Sequence, residues 1–331
     1  MPTQNDRKGA VKRLKLLAFN SKTTPEIFRK NIDMEFKTVF LPNNVECTEY
    51  KYGDINCDIL VPEIYSSNRV TLYIHGGSFI GGSKLAWRSF CSSIANKTFS
   101  RVVVPEYRLA PTFPYPAAIE DIQSVFRALF TEEQISCSLN SEEGHSSLPE
   151  IIIAADGAGA SIACAFLFNL RERFKKCIKK VIFLSPWLDI SPTSSILSAK
   201  KKSDEIMSDE ILRKSSLIYT YETNTSSPFI SPLLATEEQL VDFPPLYIQM
   251  GEKEILLEDA KSFTEKMISI GNKCELDVWK NMCFMFQMAE DYLAESHLAV
   301  EKIGKVVTDN EIGQIEIQNR PKLEHSINSE A

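Results

Sequence analysis

Six short β-branched runs, spaced along the chain and separated mostly by helical patterns, constrain this sequence more than any other feature. They are "VTLYIHGG" (Val70–Gly77), "RVVVPEY" (Arg101–Tyr107), "EIIIAAD" (Glu150–Asp156), "KVIFLSP" (Lys180–Pro186), "PLYIQMG" (Pro245–Gly251) and "CELDVWK" (Cys274–Lys280). Helical patterns fall at 86–98, 117–129, 158–174, 256–270 and 289–307. Near-continuous apolar strands alternating with amphipathic helices predict an α/β fold: a mostly parallel central sheet flanked by helices on both faces. Strand twist makes the crossovers right-handed.

The flanking segments complete the plan. Residues 11–40 read as helical with turn signals at 20–25, where Thr24 is a helix N-cap and Pro25 the first helical position. Residues 45–61 alternate and break at Gly53-Asp54, as a hairpin does. The polar, serine-rich segment 131–149 is expected to be a surface loop. Residues 191–228 are helical without a strand and, with the N-terminal helices, are expected to cover the strand ends. The expected organisation is N-terminal cap helices over 1–44, one α/β domain over 45–309 with a cap insertion at about 191–228, and a polar, disordered tail over 310–331.

Charge and cysteine usage narrow the function. Thirty-seven basic against forty-four acidic residues give a net charge of −7, without the clustered basic excess of a nucleic-acid-binding protein. Lys200-Lys201-Lys202 is followed at once by an acidic pair and reads as a solvated face. Eight cysteines lack C-x-x-C spacing, and several sit in apolar surroundings, which fits reduced, buried thiols rather than disulfides or a metal site. The basic first twenty residues do not have the design of a signal peptide, and no run is long enough to span a bilayer. The expectation is a soluble, cytoplasmic protein with no transmembrane segment, no metal and no cofactor.

"IIIAADGAGASIACAF" (Ile151–Phe166) joins a buried strand to a helix through a tight corner. Enzymes that expose a nucleophile at such a corner use G-x-S-x-G, and the same frame here reads Ala155-Asp156-Gly157-Ala158-Gly159. Three further motifs follow successive strands: "HGGSF" (His75–Phe79), "EYRLAPTFPYPAAIEDI" (Glu106–Ile122) and "SPWLDIS" (Ser185–Ser191). In order and spacing, residues 45–307 resemble the hormone-sensitive-lipase branch of the α/β-hydrolases, the esterases with an H-G-G-G loop.

That resemblance implies an eight-stranded, mostly parallel sheet with a helical cap and a serine–acid–histidine triad at the strand ends. Carried over position by position, Gly157 stands at the nucleophile position and has no side chain to attack with. Glu254 stands at the acid position, with Glu252 a surface alternative. Phe284 stands at the histidine position in "MCFMFQ". Gly76, Gly77 and the N–H of Ala158 stand at the oxyanion hole, where a missing side chain lets the backbone approach a substrate oxygen. Ser78 replaces a frequent third glycine, and His75 belongs to the same loop in a structural role.

His145, His297 and His325 lie in a polar loop, a helix and the tail, away from the histidine context. Ser161, Ser78 and Cys283 are the substitute nucleophiles to consider. A pocket is expected beside His75 and Ser78, lined by Phe79, Trp187, Phe284 and Phe286. The reading is an esterase-type fold with degenerate chemistry that binds a small apolar or acyl-type ligand. Its alternatives are an ester hydrolase with a non-standard nucleophile and a non-catalytic interaction protein. Nucleic acid is not an expected partner, and the oligomeric state is open.

Overall fold

The computed structural model describes residues 4–20, 22–38, 41, 44–140, 148–191, 194 and 204–308. The strands are β1 (Val45–Tyr52), β2 (Ile55–Pro62), β3 (Arg69–Ile74), β4 (Arg101–Pro105), β5 (Glu150–Asp156), β6 (Ile178–Leu184), β7 (Leu246–Gly251) and β8 (Cys274–Trp279). They form one sheet in the order β1-β2-β4-β3-β5-β6-β7-β8. β2 runs antiparallel to both neighbours, and β3 to β8 run parallel. Every residue of β3 and β7 is buried, as is all of β5 after its first. Apolar runs of this kind need cover on both faces, and the helices supply it.

The principal helices are α1 (Gln4–Leu14), α2 (Pro25–Phe36), α3 (Lys84–Thr98), α4 (Ala117–Asn140), α5 (Ala158–Phe168), α6 (Asp209–Tyr219), α7 (Leu257–Ser269) and α8 (Ala294–Thr308). Thr24 caps α2 by accepting the Ile27 N–H, with Pro25 in the first turn, as the sequence predicts. α2 then reaches the loop after β3: Arg29 donates from Nε to Ile80 O at 2.7 Å and from Nη2 to Ala110 O at 2.8 Å.

Two element boundaries depart from the sequence reading. The segment from 131 is not a loop as far as Asn140, because α4 runs on to that residue; 141–147 lie outside the described residues. Two hydroxyls there bond back to the preceding turn, Thr131 to Arg127 O and Ser138 to Gln134 O. Glu133 is buried in a two-pronged ion pair with Arg101 at 2.6 and 2.9 Å. Polar composition therefore conceals a helix whose charge is neutralised internally. The helix expected over 158–174 is broken at Asn169 into α5 and a short turn, Glu172–Lys175. The tail expected over 310–331 lies outside the described residues, as do 192–193 and 195–203 of the expected cap.

The junction of β5 with α5 is packed closely against β3. α5 lies so close to the end of β3 that a Cβ on Gly159 would come within 2.2 Å of Ile74 O and 2.5 Å of His75 O. Asp156, the last residue of β5, is buried and braces the same junction through one oxygen. Its Oδ1 accepts from Tyr73 Oη at 3.0 Å, Trp87 Nε1 at 2.8 Å and the Gly76 N–H at 3.0 Å. Burial raises this carboxyl from 3.8 to about 7, outweighing the three donors that favour its ionised form.

Gly159→Ala should drive strand and helix apart and cost about 3 kcal/mol of stability, measured by urea unfolding. The Asp156 shift carries a second expectation. Between pH 3.8 and about 7 the folded protein keeps a proton that the unfolded chain releases. This group's contribution is therefore complete below its unfolded value and lost as pH rises through about 7, a loss of order 4 kcal/mol for about three units. His75, which burial pushes from 6.5 down to about 4, acts in the opposite sense across most of the same range, so the comparison is with Asp156→Asn, in which its contribution cancels. The wild-type protein's stability relative to that variant should fall as pH rises from about 4 to about 7. A difference that does not change with pH would place the titrating group elsewhere.

Candidate active site

The site is built at the carboxyl ends of β3, β5, β6 and β7. At the corner after β5, Gly157 takes φ +48° and ψ −120°, outside the regions open to an ordinary side chain. Its neighbours hold that conformation: Gly157 N–H donates to Leu184 O at 3.0 Å, and Trp187 N–H donates to Gly157 O at 2.9 Å. The corner thus has the strained geometry of a nucleophile position and carries only hydrogen. A Cβ placed there would lie 3.3 Å from Phe284 Cζ and 3.9 Å from Phe284 Cε2. Gly157 and Phe284, far apart in the chain, meet here, and the benzyl ring fills the space in front of the corner.

The loop after β3 approaches the corner from the other side. Gly77 (φ +104°), Ser78 (φ +58°) and Phe79 (φ +64°) fold it into a tight bend closed by Ile80 and Gly81 N–H groups on Gly77 O. Of the three expected oxyanion donors, Gly76 is corrected: its N–H is committed to Asp156 Oδ1. Among the described residues the N–H groups of Gly77 and Ala158 have no acceptor. His75 is fully buried between the rings of Tyr107, at 4.3 Å, and Trp87, at 5.1 Å. Its Nδ1 lies 2.8 Å from Gly76 O, and Tyr107 Oη donates to its backbone carbonyl. Burial holds the imidazole neutral, with its ionisation lowered to about 4, so it is a wedge under the loop.

Glu254 is buried at the end of β7. Its Oε1 accepts from Ser185 Oγ at 2.8 Å and from the Gly251 N–H, and Ser185 Oγ in turn accepts the Met285 N–H at 3.0 Å. The carboxyl therefore anchors the loop that carries Phe284. Its other oxygen, Oε2, is buried and has no hydrogen-bond partner. Burial raises its ionisation well above the ordinary carboxyl value, against the Gly251 N–H and the Ser185 hydroxyl, which favour the charged form. Glu252 lies outward, accepting the Asn281 N–H.

The substitute nucleophiles fare unequally. Ser161 is buried on α5 and donates to Trp187 O, which makes it a helix-packing hydroxyl. Cys283 is buried and its thiol is raised to about 12 by burial, with Glu254 adding to the rise, so it has no thiolate to offer. Ser78 Oγ is buried without a partner. His297 is exposed on α8 beside Glu290 and Glu301, and His145 and His325 lie outside the described residues.

The expected pocket is largely filled by its own walls. Phe79 and Trp187 are 2% exposed, Phe284 4% and Phe286 0%. Phe79 stacks face to face on Tyr219 of α6 at 3.9 Å and packs on Trp187 at 5.3 Å. An open cleft of about 110 Å³ lies one step outward, between Trp187–Ser191 and the α6 face formed by Leu212, Arg213 and Ser216. Tyr219 and Asp156 carry much of this arrangement. Asp156 had a signal in the sequence, a charge at the end of an apolar strand; Tyr219 had none.

Comparison with known proteins agrees with the geometry. Residues 71–288 match the α/β-hydrolase fold family. An esterase of Acinetobacter venetianus is 32% identical over 244 residues, 73% of this chain and 76% of that protein. An acetyl-hydrolase of Streptomyces hygroscopicus is 28% identical over 236 residues, 71% and 74% of the two chains. The crystal structure of an esterase from the bacterial hormone-sensitive lipase family superposes with a TM-score of 0.81 at 24% identity, covering 93% of this chain and 99% of its own. With an eight-stranded sheet, a glycine-bearing corner after β5 and a glycine loop after β3, this chain belongs to the α/β-hydrolase family.

Proposed function

We propose that this protein is an esterase-type α/β-hydrolase in which ester cleavage has been lost or reduced to a residue, and which serves by binding a small apolar or acyl-type molecule. The carrying observation is the contact between Phe284 and Gly157: the ring stands 3.3 Å from the point where a nucleophile's Cβ would be. No hydroxyl attacks from the corner and no imidazole takes up a proton across from it. Losing the serine or the histidine alone lowers turnover about a million-fold in a serine protease. Backbone donors and binding alone retain about 10³–10⁴-fold over water. Gly77 and Ala158 are the donors placed to supply that residue.

The cleft beside Trp187 is the reading's ligand site, with Leu212 as apolar wall and Arg213 beside it for a carboxylate end. The eight free cysteines suit a reducing compartment, which supports a cytoplasmic location. No described helix is long and apolar enough to cross a membrane. One observation favours a second reading, a hydrolase with a non-standard nucleophile: the buried Ser78 hydroxyl has no partner.

Unaltered protein should release p-nitrophenol from its butyrate ester at no more than about 10⁴-fold over water and should not be labelled by a fluorophosphonate. Labelling abolished by Ser78→Ala would replace the first reading by the second. Gly157→Ser alone should lose about 1–3 kcal/mol of stability to backbone strain and gain no turnover. The pair Gly157→Ser with Phe284→His should gain turnover, because the loop, the corner and Glu254 are already in place. Short-chain acyl compounds should raise the melting temperature, and Ser216→Phe, which fills the cleft, should abolish that shift while leaving the circular dichroism unchanged.

A further inference from the structure

At the opposite end of α5 from the corner, about 16 Å along the helix for eleven residues, lies a second cavity unrelated to the site above. It is a groove of about 660 Å³ between α4, α5 and the Arg171–Phe174 turn. That is within the roughly 300–1,000 Å³ of small-molecule sites. Its floor is aromatic. Phe126 packs on Phe166 at 4.9 Å, and Phe130 meets Phe174 edge-on at 4.8 Å.

Its rim is cationic. Arg127, Arg171 and Arg173 line it, all exposed, and among the described residues none of them has a carboxylate within ion-pair distance. Arg173 lies over the Phe174 ring at 4.5 Å, which fixes the guanidinium and leaves its donors free. The stretch 171–180 holds six basic residues against Glu172, in a chain whose net charge is −7. Glu172 is itself engaged with Lys176.

We infer that this groove binds a single-chain amphipathic anion, a free long-chain carboxylate, with its hydrocarbon on Phe130 and Phe174, which rest on the buried Phe126, and its carboxylate on the arginine rim. An apolar floor selects the chain by area removed from water, and unpaired planar guanidiniums select the carboxylate head by two-pronged hydrogen bonding. A neutral or cationic amphiphile meets the same floor without that head contact.

Titration calorimetry of the full chain with laurate, kept below its micelle-forming concentration, should show saturable binding. Dodecyltrimethylammonium, with the same tail and the opposite charge, should show none. Arg171→Glu with Arg173→Glu should weaken laurate about tenfold or more. Phe130→Ala should weaken it by losing floor area, and the variants are compared in a Ser216→Phe background, whose filled outer cleft leaves the groove as the site that the heat reports. Circular dichroism checks that each variant is folded. Absence of laurate binding, equal binding of the cationic amphiphile, affinity unmoved by the arginine reversals, or binding to phosphatidylglycerol vesicles without binding of free laurate would each overturn the assignment.

Discussion

One buried carboxyl oxygen, Asp156 Oδ1, holds the site together. Tyr73 comes from β3, Trp87 from α3 and the Gly76 N–H from the glycine loop, and all three donate to it. Strand, helix and loop are thereby referred to the end of β5, one residue before the corner. Three donors on one buried acceptor are a polar network in a low-dielectric interior, where a satisfied network fixes geometry and a broken one is costly. The loop cannot retreat without exposing Asp156, and the corner cannot move without pulling on β3 and α3.

This brace holds the frame through atoms other than those at the corner and the loop after β8. The atoms that hold the frame are a carboxyl, a phenol, an indole and backbone amides. None of them is the nucleophile or the proton carrier. Glu254 acts in the same way: through Ser185 Oγ it fixes the Met285 N–H and so anchors the loop after β8. Gly157 and Phe284 then fit as a pair. Glycine relieves the strain of a positive φ at the corner, and the ring occupies the volume that a hydroxyl and an imidazole would share.

Much of the fold was legible because its strands are buried on both faces and its turns carry their own chemistry. The runs at 70–77, 150–156 and 245–251, the Gly53 hairpin and the Thr24-Pro25 helix start each read directly. The continuation of α4 past Thr131 did not, because its polar residues are satisfied by tertiary partners such as Arg101, which no local pattern contains. At the site, motif spacing proposes Gly157, Glu254 and Phe284 for the three positions but says nothing of what surrounds each. That Gly76 spends its N–H on Asp156, that Glu254 is buried with its ionisation raised and that Phe79 is covered by Tyr219 all depend on burial and long-range approach. Spacing along a chain gives which residue arrives at a strand end; it does not give what the residue finds there.

The closure of the inner pocket follows from the same long-range contacts. Phe79 is held at positive φ on a loop that Arg29 of α2 pins through Ile80 O and Ala110 O, and its outer face is covered by Tyr219 of α6. The N-terminal helices and the α6 helix thus meet on the two sides of one loop. A molecule reaching Gly77 and Ala158 has to displace an aromatic stack, whereas one in the cleft beside Trp187 displaces only water. Stacked rings of this kind gain about 0.5–1.5 kcal/mol beyond their burial, in addition to the burial itself. The energetically cheaper place for a ligand is therefore the outer cleft, which lies apart from the strained corner at Gly157.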